Sequence, residues 1–199
     1  MGPGYGTDAL QFLVGILVDL YALVVVLRFL LQAVRANYFN PAAQFVVRAT
    51  KPVLDPLRRV LPPVGRYDLA ALVLAVALMG LKIALFRLLS IDSVVIGGYA
   101  VGIAHVWLGS LAWLAVVELI TLFINVWFFA VLILAILSWI APAGHNPVAE
   151  VLERITDPLL RPVRNVIPLI GGIDLSPLVV LIGLQVLKML LIRPLLALA

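Results

Sequence analysis

Four ionisable residues stand inside long apolar runs, where a charge is expensive and therefore informative: Asp19, Lys82, Glu118 and Lys188. Asp19 precedes Ala33 by 14 residues, and Lys82 follows Asp68 by 14. At 1.5 Å per residue both sit about 21 Å from one membrane boundary. An antiparallel helical hairpin would bring them level. The same two positions recur 106 residues later as Asn125 and Lys188. The amine is kept, and the carboxylate becomes an amide. Glu118, two turns from Asn125, is the carboxylate left to serve Lys188. Three readings stay open: a polar track for an ion or proton, buried pairs that set helix register, or lysines snorkelling to the far face.

A second group of residues could bind rather than react. Arg48, Arg58 and Arg59, and again Arg154, Arg161 and Arg164, alternate with apolar residues at helical spacing. That is the pattern of a basic amphipathic segment in a membrane interface. Such a segment attracts anionic headgroups at about 1 kcal/mol per basic residue. It could equally dock a cytoplasmic partner, or simply set topology. Prolines at 52, 56 and 62, and at 158, 162 and 168, favour a shaped backbone, because charge sorting alone needs no fixed geometry. Pro52 and Pro56 are expected to break their segment into short helical pieces.

Catalysis finds little support. His105 and His145 fall in different loops, so a shared metal site is not expected. Gly171-Gly172 lacks the strand and spacing of a phosphate loop. The expectation is no enzyme, no metal, no cofactor and no nucleic-acid contact. Expected partners are anionic membrane lipids, a membrane protein complex, or further copies of the chain.

These groups are positioned by a duplication. Asn40-Pro41, Pro52, Pro56, Pro62 and Asp68 return as Asn146-Pro147, Pro158, Pro162, Pro168 and Asp174, each 106 residues on and without a gap. The chain has 199 residues, 64% hydrophobic and 12% charged. Soluble chains carry about 45–50% apolar and about 25% charged residues. The fold class is therefore an all-α membrane protein with four transmembrane helices in two tandem repeats.

The first repeat spans residues 1–91, with crossings near 10–33 and 68–89. The second spans 116–199, with crossings near 116–140 and 174–196. Asp68 stands at the N-cap of the second crossing. Residues 92–115 are read as an apolar, interfacial or re-entrant lead-in helix, and a fifth span is the alternative. Basic residues crowd the two motif loops and are absent from the N-terminal tail and from 88–140. The positive-inside rule puts both loops in the cytoplasm and the termini outside. Two loops on one side require an even number of crossings between them, which favours four spans.

The run Asp157-Pro158-Leu159-Leu160-Arg161-Pro162-Val163-Arg164, followed by Ile167-Pro168 and Gly171-Gly172-Ile173-Asp174-Leu175-Ser176-Pro177, resembles the signature of the YggT family of small bacterial and plastid membrane proteins. Asn146-Pro147 and the two-copy plan fit as well. The first copy departs from it, with Arg66-Tyr67-Asp68-Leu69-Ala70-Ala71 at the corresponding place. The resemblance implies a multi-pass protein of the bacterial inner (plasma) membrane, linked to osmotic or salt tolerance and to ion uptake. For plastid relatives it implies cytochrome assembly and nucleoid organisation, and for some bacterial relatives division loci. It carries over no catalytic residue.

Overall fold

The computed structural model describes residues 4–140, 146–167 and 174–199. His145, Pro168, Gly171 and Gly172 lie outside the described residues. The elements in order are α1 (Gly4–Ala33), α2 (Pro41–Val60), α3 (Leu69–Leu88), β1 (Ser93–Ile96), β2 (Tyr99–Gly102), α4 (Leu108–Ile140), α5 (Pro147–Arg164) and α6 (Ser176–Leu196). Helices α1, α3, α4 and α6 are long and apolar enough to cross a membrane. The strongest packing is of α1 on α3, α3 on α4 and α4 on α6. The core falls into two clusters. One is built mainly on α3, α4, α6 and β1, and the other mainly on α1, α2 and the start of α3, with Leu119 and Val126 of α4 and Ile155 of α5.

The segment read as a lead-in helix is instead an antiparallel β-hairpin, so the fold is helical with one small strand pair. Ile96 pairs with Tyr99 across a two-residue turn. Gly97 and Gly98 both have positive φ, +65° and +97°. That is the backbone of a tight hairpin turn, which most other residues resist. Val94 and Ile96 point into the bundle. Gln11 donates to the Ser93 carbonyl at 3.3 Å, which ties the hairpin to α1. Strand geometry this close to the spans is tolerated because it is packed against protein. With the hairpin taking residues 93–102, α4 begins at Leu108, eight residues before the expected start of the third span.

The prolines do not break the amphipathic segments. Each of α2 and α5 is one continuous helix with two internal prolines, Pro52 and Pro56 in α2, Pro158 and Pro162 in α5. All four lie on exposed faces. The carbonyls that lose an N–H partner therefore point outward, where solvent or headgroups can satisfy them. The opposite face packs. Ala43, Val46, Thr50 and Leu54 are buried in α2, and Leu152, Ile155, Thr156 and Leu160 in α5. The Thr50 and Thr156 hydroxyls donate to the carbonyls of Val46 and Leu152, both at 2.8 Å, so neither buried polar group is orphaned. Packing of one face overrides the local proline penalty.

Candidate functional site

Two sites emerge, one inside the spans and one at the end of the bundle where α2 and α5 meet. In the spans, the Lys82 ammonium donates to Asp19 and to Glu118, both at 2.5 Å. Lys82 is 3% exposed and Glu118 8%. Helices α1, α3 and α4 thus converge on one amine. The expected Asp19–Lys82 pair forms, and burial of the ammonium removes the snorkelling reading for Lys82. Glu118 serves Lys82 and not Lys188. Lys188 donates to Asn125 at 3.0 Å, so the repeat-matched pair also forms, with a neutral partner.

Two carboxyl groups share one amine, so the cluster has one carboxyl more than it has amines. The Asp19 side chain is 49% exposed. It faces a groove of about 670 Å³ between α1 and α4, which also admits Lys82 and Asn125. Val126, Phe129, Ala130, Ile133 and Leu152 make that side of the groove apolar.

At the motif end, Asn40 is the clasp. Its side-chain oxygen caps α2 by accepting from Ala42 N at 2.9 Å. Its amide nitrogen donates to the Pro147 carbonyl and to Glu150, both at 2.8 Å. Asn146 caps α5 in the same way through Val148 N. The first turns of α2 and α5 are therefore locked together, and both motif segments lie at one end of the bundle. Glu150 was not singled out from the sequence. Its repeat counterpart is Gln44, and no local pattern marks it.

Each amphipathic helix is also tied to the span that follows. Arg58 pairs with Asp68, its Nε donating at 3.2 Å and its Nη2 donating as well. Arg164 pairs with Asp174 at 2.9 Å. These are repeat equivalents, each ten residues apart. Asp68 also caps α3 through Ala71 N, as expected. At Asp174, burial pushes the carboxyl up, but hydrogen bonds from Ser176 and the Arg164 charge outweigh it. The group is held below the usual carboxylate range.

Arg58 and Arg164, read from the sequence as lipid or partner contacts, are thus engaged within the chain. Arg48, Arg59, Arg154 and Arg161 remain on exposed faces. A polar cleft of about 700 Å³ beside them gathers Arg35, Arg66 and Arg154 with Glu150, Glu153 and Asp157.

Fold and site together define a multi-pass helical membrane protein built as a tandem repeat, with an amphipathic helix inside each repeat. The CCB3/YggT family model matches residues 7–89 and again 113–195, at the same 106-residue offset. The chain belongs to this family. It is 43% identical to an uncharacterized protein of Pseudomonas aeruginosa, over 98% of this chain and 93% of that one. It is 42% identical to a Vibrio alginolyticus protein described by its place in the proC 3' region, over 89% and 90% of the two chains. It is 36% identical to the uncharacterized protein YggT of Escherichia coli K12, over 92% and 88%. No solved structure matches it. Nothing in the fold or in these similarities indicates enzymatic activity.

Proposed function

We propose that the protein is a non-enzymatic membrane scaffold or assembly factor, linked to osmotic or ion homeostasis, whose paired α2 and α5 helices are its docking surface. The observation that carries this reading is the twice-repeated anchoring of an amphipathic helix to a span by an Arg–Asp pair. With Asn40 joining the two helices, the result is a rigid basic platform, and topology alone needs none. The platform faces the cytoplasm of a bacterial inner membrane, and the termini lie outside, because the basic residues gather at this end. Arg48, Arg59, Arg154 and Arg161, which form no ion pair among the described residues, engage anionic headgroups or a partner complex.

The test replaces Arg154 and Arg161 by glutamate and follows two readouts, photocrosslinks from a probe beside Arg161 and growth of the host at high osmolarity. Both should be lost. Normal crosslinks and normal growth, with the variant inserted at wild-type level, would remove the proposal.

A second reading, an oligomeric ion transporter or channel component, is favoured by the Asp19–Lys82–Glu118 cluster, two carboxyl groups on one amine within the spans. Purified protein in liposomes should then carry potassium, sodium or proton flux that Lys82→Ala and Lys188→Ala abolish. Flux no greater than that of empty liposomes would end this reading.

A further inference from the structure

The scaffold reading makes no use of the groove beside Asp19. In the crossing Ala9–Ala33, Asp19 lies 10 residues from one end and 14 from the other. At 1.5 Å per residue that is about 15 and 21 Å, close to the middle of a roughly 30 Å hydrocarbon core. Its side chain is half exposed, it faces the groove, and it belongs to a cluster with one carboxylate in excess. The α1 wall is apolar above and below it. Phe12, Ile16 and Leu20 are 66%, 42% and 53% exposed. On the facing helix, Phe129 and Ile133 continue the apolar surface. Along α1 the groove runs from Gln11 to Leu27, about 24 Å, most of the way across the core.

A surplus carboxyl at this depth must either hold a proton or meet a positive charge. A phospholipid cannot supply one, because its charges sit at the interface and only its chains reach the centre. A transmembrane helix can, through one lysine or arginine near its midpoint. We infer that the groove between α1 and α4 receives a transmembrane helix of another protein, one that carries a single basic residue at mid-membrane which pairs with Asp19. The helix lies along Phe12, Ile16 and Leu20 and places its cation against the cluster. The charge match selects the partner, and the apolar walls hold it. This surface meets the α2–α5 platform only at the buried Leu152 of α5 and uses none of its arginines.

The test exploits a chain without cysteine. Leu20→Cys places a thiol on the groove wall next to Asp19. In liposomes it is mixed with synthetic 21-residue leucine/alanine helices bearing one cysteine and, at the centre, lysine, leucine or glutamate. Disulfide capture under mild oxidation should favour the lysine helix over the leucine helix by about ten-fold and reject the glutamate helix. Asp19→Asn on the Leu20→Cys chain should erase the preference while capture of the leucine helix persists. Leu190→Cys, on the exposed face of α6, should show no preference. Equal capture of lysine and leucine helices at Leu20→Cys would overturn the inference and leave only apolar contact. So would capture no better than at Leu190→Cys, which would leave the groove to lipid. A disulfide between two copies of the chain that outcompetes the lysine helix would assign the groove to self-association instead. Any of these failures leaves the Arg154 and Arg161 crosslinks unchanged, so the platform is judged independently.

Discussion

Replacing Lys82 by methionine should destabilise the protein by about 3–5 kcal/mol, the cost of breaking a buried ion pair by removing one partner. The methionine fills similar space, so packing is not the main loss. The damage is that Asp19 and Glu118 are left facing each other without their shared cation. Against a total stability of about 5–15 kcal/mol, that is enough to lower the yield of folded protein visibly. Adding Glu118→Gln to Lys82→Met should recover most of the loss, because it removes the more buried charge. Lys188→Met should cost far less, about 1 kcal/mol or below, since its partner Asn125 is neutral and stays tolerable alone. Thermal unfolding in one detergent, compared across the three variants, checks all of this. Equal losses for Lys82→Met and Lys188→Met would refute the account of the cluster.

The second large effect is expected at Asp68. Asp68→Ala removes an N-cap, worth about 1 kcal/mol. It also removes a hydrogen bond between charged groups, worth about 1.5–3 kcal/mol. The carboxylate is fully buried and its partner Arg58 is 23% exposed, so water compensates little. A total of about 2.5–4 kcal/mol follows. The repeat equivalent should behave differently. Asp174 and Arg164 are 32% and 47% exposed, and exposed pairs contribute about 0–1 kcal/mol.

Acidification gives a parallel check. A carboxyl held low in the folded state stabilises above its unfolded pKa, and that contribution fades as pH falls through the lower folded value. The Asp174 contribution should therefore begin to fade within the ordinary carboxylate range and go on fading below it, and Asp174→Ala should remove that dependence. Protease sensitivity of α2, read beside thermal unfolding, reports whether the helix has come loose. Asp68→Ala and Asp174→Ala variants of equal stability would contradict the burial difference.

Much of this molecule can be read from its residues because the governing patterns are local or periodic. Twenty apolar residues in a row specify a crossing whatever surrounds them. The 106-residue offset carries every motif position from one repeat to the other, and equal depth in the membrane brings Asp19 to Lys82. The same reading gives Lys188 to Glu118, whereas Lys188 rests on Asn125. Asp68 as an N-cap follows from its place before an apolar run. The glycine pair at 97–98, between Val94-Val95-Ile96 and Tyr99-Ala100-Val101, was a hairpin signal as well. The apolar composition around it argues for a helix and hides that signal.

What the residues could not show is how the repeats meet. Glu118 turns to Lys82 because α3 packs on α4, and no spacing within one repeat encodes that contact. Pro52 and Pro56 are harmless because their face of α2 is exposed, which depends on what covers the other face. Arg58 and Arg164 look like their free neighbours until the chain turns and brings Asp68 and Asp174 against them. Periodicity places a side chain on a face of its own helix. Which other helix that face meets is settled by packing across the whole bundle, and there two nearly equal repeats become unequal: one lysine closes on two carboxylates, and the other rests on an amide.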